Sequence, residues 1–393
     1  MQRFLFRRFG RQDTTQRRAA TAVVVAVMIP VLVGFAAITI DVGATYNTRT
    51  DLQRAADAAA LAGASAYVSD EMIKLRQYGD TGQLSYVVGT ASSRVDEFSA
   101  VNPSFGTSTT KVESGDFAAG WIDLNSGTSP IQTGALPTTF NAIEVAVRRN
   151  EDVLNGPIEF FFAAIFGQST GETSATATAV FDDRVGGFDT GAGDGGFLPF
   201  TIDEDIFELE LLTGADDYGY DPGSETVTGG SDGIKEIRLY PWDLAPGNFG
   251  LLNVGTPNQS TPALQNHIEN GIPPEDWTAE IGTDKLSFID EFGDPITHDI
   301  TGNAGMKSAL ESSIELRKGD VVGFLLHNQV EEGGSNSVYT VTQLRFGRVM
   351  EVNLNGNNKG LWLQPVSYNG GGVIIDPNAP SSGGLLGRIV LAR

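Results

Sequence analysis

The sequence contains no cysteine in 393 residues, so disulfides, thiolate catalysis and any zinc site with a sulfur ligand are excluded. That absence assigns no redox compartment. Histidine is almost missing as well. The three present, His267, His298 and His327, lie far apart without a metal-ligand spacing and read as scattered structural or surface residues. Positive charge is scarce after the N-terminus. Residues 1–18 hold six arginines (Arg3, Arg7, Arg8, Arg11, Arg17, Arg18) against Asp13, a charge of +5, whereas the whole chain carries −23. The other 375 residues therefore carry −28, and so acidic a body would repel nucleic-acid phosphates. No phosphate-cradling GxxxxGK[ST] string occurs.

Serine chemistry is poorly supported. G-x-S-x-G appears at residues 167–171 (GQSTG) and 229–233 (GGSDG). A nucleophile elbow needs a strand before the serine and a helix after it. The first instance follows a helical pattern, and each precedes a strand pattern. The acidic loops at 182–194 and 216–221 offer oxygen ligands for calcium, but neither matches the D-x-[DN]-x-[DN]-G loop, and solvated loops are the default reading. No catalytic, cofactor-binding or metal-binding residue is assigned.

What the chain does have is one long apolar run. Residues 19–40, AATAVVVAVMIPVLVGFAAITI, are 22 residues without a charge, about 33 Å of helix, enough to cross a hydrocarbon core of about 30 Å. The arginines before it, with Arg17 and Arg18 adjacent, and Asp41 and the acidic chain after it predict one span with the N-terminus cytoplasmic. Pro30 lies mid-span, where it removes a backbone donor and is expected to kink the helix. A cleaved signal peptide ending in VGA at Ala44 is the alternative. Its apolar region would be only about 7–15 residues, and the longer run favours a retained anchor.

The helical pattern continues beyond Asp41 to about Leu75. Within it LQRAADAAALAGA (residues 52–64) has seven alanines in thirteen residues. Leu52, Ala56, Ala59, Gly63 and Ala66 recur at spacings of 4, 3, 4 and 3, a small-residue stripe of average period 3.5. Such a stripe buries little area per residue, so its benefit is close backbone approach. It predicts packing either against the chain's own downstream domain or in an intermolecular helix bundle.

At these residues the sequence resembles TadG-like proteins of the Tad/Flp pilus-assembly system. The matching pieces are Asp41, Val42, Gly43 and Tyr46 of the DVG…Y element, then Leu52, Gln53 and residues 55–63 of the alanine helix. The resemblance is dense over residues 17–67 and only general beyond. It implies a membrane-anchored assembly protein whose partners are other pilus-assembly proteins or pseudopilins. Two positions depart from the related TadE-type pseudopilins: Val24 stands where those have a glutamate, and Ala19 where prepilin peptidase would need a glycine. Both departures count against processing and filament entry by the standard pilin route. The DxSxS string of a von Willebrand A domain, carried by some TadG-like proteins, does not occur.

The remainder predicts an α+β fold. A second helix is expected at 85–98, strands at 116–123, 141–149 and 172–183, and a short helix at 157–167 ending at Gly167. A long N-terminal helix on a small sheet is a pilin-like arrangement. The stretch 182–196 has six glycines and four aspartates in fifteen residues and reads as a linker. After it, strands at 234–242, 320–328, 337–354 and 360–368 and helices near 263–270 and 304–316 predict a mostly β unit, barrel or sandwich.

The expected organisation is a basic tail (1–18), a transmembrane helix (19–40), a pilin-like α+β module (41–183), a linker (184–196) and a β-rich extracytoplasmic domain (197–393). The function expected is a structural, non-enzymatic component of a Tad/Flp-type pilus or secretion apparatus. It would sit in the inner membrane with the bulk of the chain periplasmic or extracellular, in contact with the lipid bilayer and other assembly proteins, no nucleic acid, and a possible homo-oligomer. A surface adhesin or ligand-binding module is the first alternative, and a membrane-anchored envelope hydrolase the second.

Overall fold

The computed structural model describes residues 14–392 apart from 105, 107–109, 111, 127–129, 193–195, 241–248, 256–259, 332–335 and 356–358. Arg3, Arg7, Arg8 and Arg11 lie outside the described residues. Helix α1 (Thr14–Ala64) has 51 residues, about 76 Å in length, and runs through Pro30 without a break. It stops eleven residues short of the expected Leu75. A 3-10 turn (Ser65–Tyr67) follows, and Ser69 then begins α2 (Asp70–Tyr78) by accepting the Met72 N–H on its hydroxyl. Asp70 and Glu71 in the first turn favour this new start, so the cap overrides the continuous periodicity. The last stripe residue, Ala66, is thus in the 3-10 turn and not on α1. Gly79 in a left-handed conformation ends α2, and α3 (Gln83–Ala100) brings the chain back along α1.

The helices lie on a sheet built from β1 (Phe117–Gly120), β2 (Ala142–Arg149) and β5 (Thr173–Asp182), all antiparallel. The 157–167 segment is not a helix. It holds the two-residue strand β3 (Ile158–Glu159) and a 3-10 turn (Ala163–Phe166) that Gly167 closes at φ 89°, and β3 pairs with β4 (Thr170–Gly171) just beyond it.

The described part of the glycine- and aspartate-rich stretch is not irregular throughout. It contains β6 (Val185–Asp189), whose consecutive residues Gly186, Gly187 and Phe188 are buried. The β unit then supplies β7 (Phe197–Asp203), α4 (Glu204–Thr213), the hairpin β8 (Tyr218–Asp221) and β9 (Thr226–Gly229), β10 (Ile237–Tyr240), β11 (Phe249–Leu252), α5 (Thr261–Asn270) and α6 (Pro274–Ile281). There follow β12 (Lys285–Ser287), β13 (His298–Asn303), α7 (Glu311–Glu315), β14 (Val321–Glu331), β15 (Ser337–Asn353), β16 (Gly360–Pro365), β17 (Tyr368–Asn369), β18 (Val373–Ile375) and β19 (Leu386–Ala392). Only five residues of the expected 304–316 helix are α-helical, with a 3-10 turn before them.

The architecture of this unit is a closed barrel. β15, 17 residues long, pairs with β14 on one side and with β13 and then β16 on the other. β13 continues to β11, β11 to β7, and β7 runs parallel to β14, which closes the circuit. Both faces of the wall are buried. On β14, Phe324 and Leu326 join one cluster with Phe207 and Leu211 of α4, while Leu325 joins another with Trp277 of α6.

The two halves are not separate along the chain. β19, the last strand, pairs antiparallel with β5 and so extends the first sheet, and β6 pairs with β12 and β18. The sheet of the first module thus takes one of its strands from the end of the chain. Helix α2 serves both cores: Met72 and Leu75 pack with Leu52 and Ala56, whereas Ile73 packs with Ile234 and Leu385. Its Arg76 donates to the Phe140 carbonyl and lies over the Phe181 ring.

Candidate functional site: the membrane-proximal helix

Helix α1 has two unlike halves. Over residues 23–40 its large apolar side chains, among them Val24, Ile29, Leu32 and Phe35, are exposed. Among the described residues this is the one helix long and apolar enough to cross a membrane. Arg17 and Arg18 lie near its start, preceding this segment. From residue 52 onward the pattern inverts, and the small side chains are buried.

The inversion has a packing cause. The 52–64 stretch is layered between α3 on one side and β2 and β5 on the other. Leu52, Ala56, Ala59, Ala60 and Ala64 share one cluster with Val87, Ala91 and Val95 of α3, Ile143 and Val145 of β2, and Ala177 of β5. Ala55 is fully buried too. Contact on two sides requires small residues over more than one stripe, which explains seven alanines better than a single seam does. Gly63 marks the tightest point. A Cβ there would stand 2.8 Å from Val95 Cγ2 and 3.0 Å from Ile143 Cγ2, so it is pinched between helix and sheet. The stripe residues Leu52, Ala56, Ala59 and Gly63, with Ala66 beyond, thus face the chain's own downstream module.

Asp41 occupies the joint between the halves. It is only 5% exposed. Its Oδ1 accepts the Phe161 N–H at 2.8 Å, and its Oδ2 accepts those of Phe162 at 3.1 Å and Ala163 at 2.6 Å. Burial alone would raise its pKa, but these three backbone donors outweigh it and hold the carboxyl below its ordinary value. The carboxylate therefore caps the 3-10 turn that follows β3. Sequence reading placed Asp41 as the end of the span but missed its partner, because the two are 120 residues apart. The apolar stretch FFFAAIF at 160–166, with four phenylalanines, was the available signal.

The remaining candidates have structural occupations. His267 Nε2 lies 2.8 Å from Asp276, His298 Nε2 2.7 Å from the Ser287 carbonyl, and His327 Nδ1 2.9 Å from Thr201 Oγ1. Ser231 of the second G-x-S-x-G donates to Asp216, and the Ser169 carbonyl of the first accepts from Phe160 N–H. In the acidic loops, Asp216 also accepts from the Asp232 and Gly233 N–H groups, and Asp221 from Gly223 N–H and Ser224. Among the described residues no group of three His, Cys, Asp or Glu converges as a metal site.

One cleft of about 330 Å³ opens on the barrel, lined by Val185, Phe288, Ile296, Thr342, Arg345 and Leu386. Burial pushes Arg345 down to about 10 against the opposing pull of Glu208 and Glu204.

Residues 19–66 match the Tad family model, described as Flp pilus-assembly TadE/G-like. Over that stretch the chain is similar to the TadE/G-like family. No curated protein and no solved structure matches the chain. The TadE/G-like segment coincides with the exposed apolar half of α1, the Asp41 joint and the buried alanine half. Over these residues the chain is similar to Flp pilus-assembly proteins, and the one long apolar helix among the described residues fits a single-pass membrane anchor.

Proposed function

We propose that this protein is a structural component of a Tad/Flp-type pilus or secretion apparatus, held in the inner membrane by residues 19–40. Its N-terminus is cytoplasmic and the alanine-helix module and barrel lie outside. It works by anchoring and by contact with other assembly proteins or pseudopilins, and catalyses no reaction. The observation that carries this reading is the coincidence of the TadE/G-like match, residues 19–66, with a helix that is lipid-like on its surface below Asp41 and packed into its own fold above it. The arginine-rich tail supports the orientation.

Deleting the gene should abolish surface Flp-type pili, and the full-length gene should restore them. Normal piliation in the deletion strain would remove the proposal. In spheroplasts, added protease should digest a C-terminal tag, and a protected tag would reverse the orientation. An adhesin or ligand-binding role is the second reading, favoured by the barrel cleft with its partly apolar lining around Arg345.

A further inference from the structure

The turn latched by Asp41 exposes an apolar surface beside the span. Phe161 is 62% exposed, Ile165 78% and Phe166 70%, while Phe160 folds back over the hairpin, its ring against Gly171. The base is ordered by the β3–β4 ladder and by Phe160 N–H donating to the Ser169 carbonyl. These side chains are therefore displayed from a fixed hairpin.

Their height relative to the span can be read from α1. The turn contacts α1, and three of its backbone N–H groups meet Asp41, the residue directly after the apolar run. One helical turn nearer the N-terminus on the same face, Ala37 is only 6% exposed although Phe35, Ile38 and Ile40 around it are exposed. Protein thus covers α1 about 6 Å below Asp41, inside the apolar run. Interfacial elements bury their apolar faces about 5–10 Å into the headgroup–acyl boundary. Exposed apolar clusters mark protein or membrane contact sites, and at that height the adjoining phase is the bilayer that receives the span.

We propose that the 160–166 turn is a second membrane contact, inserting Phe161, Ile165 and Phe166 into the outer headgroup–acyl boundary next to the span. It rests on the reading of residues 19–40 as a span. Asp41 would fix the angle between the span and the extracytoplasmic body by tying the turn to α1, so that the body has two points of attachment to the bilayer.

The cysteine-free sequence makes the test direct. Full-length protein carrying Phe166→Cys, Ile165→Cys, Val27→Cys or Tyr86→Cys is labelled with an environment-sensitive fluorophore and reconstituted in phosphatidylethanolamine–phosphatidylglycerol vesicles. Lipids with nitroxides at shallow or deep acyl positions then report depth. The label at 165 or 166 should be blue-shifted and quenched by shallow nitroxides, the label at 27 by deep ones, and that at 86 by neither. Lipid quenching at 27 with a water-exposed signal at both 165 and 166 would overturn the second contact and leave the span intact. A blue-shifted but unquenched signal at 165 and 166 would mean protein covers the turn, and overturns it equally. Loss of quenching at 27 would overturn the span itself.

Discussion

The two halves of α1 are both apolar and both helical, yet their side-chain sizes run opposite to their burial. Residues 23–40 place Val, Leu, Ile, Met and Phe on the surface, and residues 52–64 place alanine and glycine in the core. The usual rule would bury the larger groups. The difference teaches that each half has a different neighbour. Lipid accepts bulk without demanding fit, so the span is large and irregular. A helix held between another helix and a sheet must let both backbones approach, so its residues are small.

If that comparison is right, volume should be costly in one half and free in the other. Gly63→Leu should be the most damaging change, about 3 kcal/mol or more, because Val95 and Ile143 already stand at contact distance on two sides. Val31→Leu, of similar chemistry in the exposed half, should stay within about 0.5 kcal/mol. Denaturation of full-length protein in detergent checks both. Equal tolerance would break the comparison.

Ala59→Leu comes next, at roughly 1–3 kcal/mol, since the same layers bury it fully. Asp57→Ala, two residues away, loses only an exposed bond from Gln53 and should be nearly silent. A melting comparison of the pair separates packing from general helix damage.

Charge can be compared as size was. Asp41 and Glu236 are both buried carboxylates that accept backbone N–H groups. Burial pushes Glu236 up to about 7 despite bonds from the Asp217 and Tyr218 N–H groups, with Asp216 adding repulsion. The folded state therefore keeps this proton after the unfolded chain has lost it. Its contribution is fully present below about pH 4.5 and is lost as pH rises through 7. Glu236→Gln should melt higher than wild type at pH 8, by roughly 1–3 kcal/mol as an upper range, and equal it near pH 4. A constant difference across this window would refute the assignment.

Asp41 has the opposite sign and the most local effect. Its lowered pKa stabilises the turn above pH 3.8 and is lost as pH falls through the lower folded value. Hydrogen exchange of the Phe161, Phe162 and Ala163 amides should rise on such acidification in wild type, relative to the β3–β4 ladder. In Asp41→Asn it should be raised already at neutral pH and should not change further. Amides that stay protected in the variant would mean the latch lies elsewhere.

Parts of this molecule were legible in the sequence because they depend on local order. The span needed only 22 uncharged residues and flanking charge. The strands at 117–120 and 142–149 needed only alternation, and that at 173–182 only its threonine- and valine-rich composition. The alanine stripe announced close approach, though a single period of 3.5 hid the second buried side at Ala55 and Ala60. The helical pattern through Leu75 was misleading, because one capping serine at 69 competes with a continuous apolar rhythm.

By itself the sequence determined that this chain has an apolar helix fit to cross a membrane, a lean helix beyond it, an acidic body and no cysteine chemistry. Each of these is a property of neighbours along the chain. Only the tertiary structure decided that the lean helix faces α3 and the sheet of its own chain, that Asp41 ties to a turn 120 residues away, and that β19 joins the first sheet beside β5. The physical reason is that backbone donors and strand edges are chemically alike everywhere in a sequence. Which carboxylate or which edge satisfies them is settled by the fold in three dimensions, which brings the last strand back to the first module.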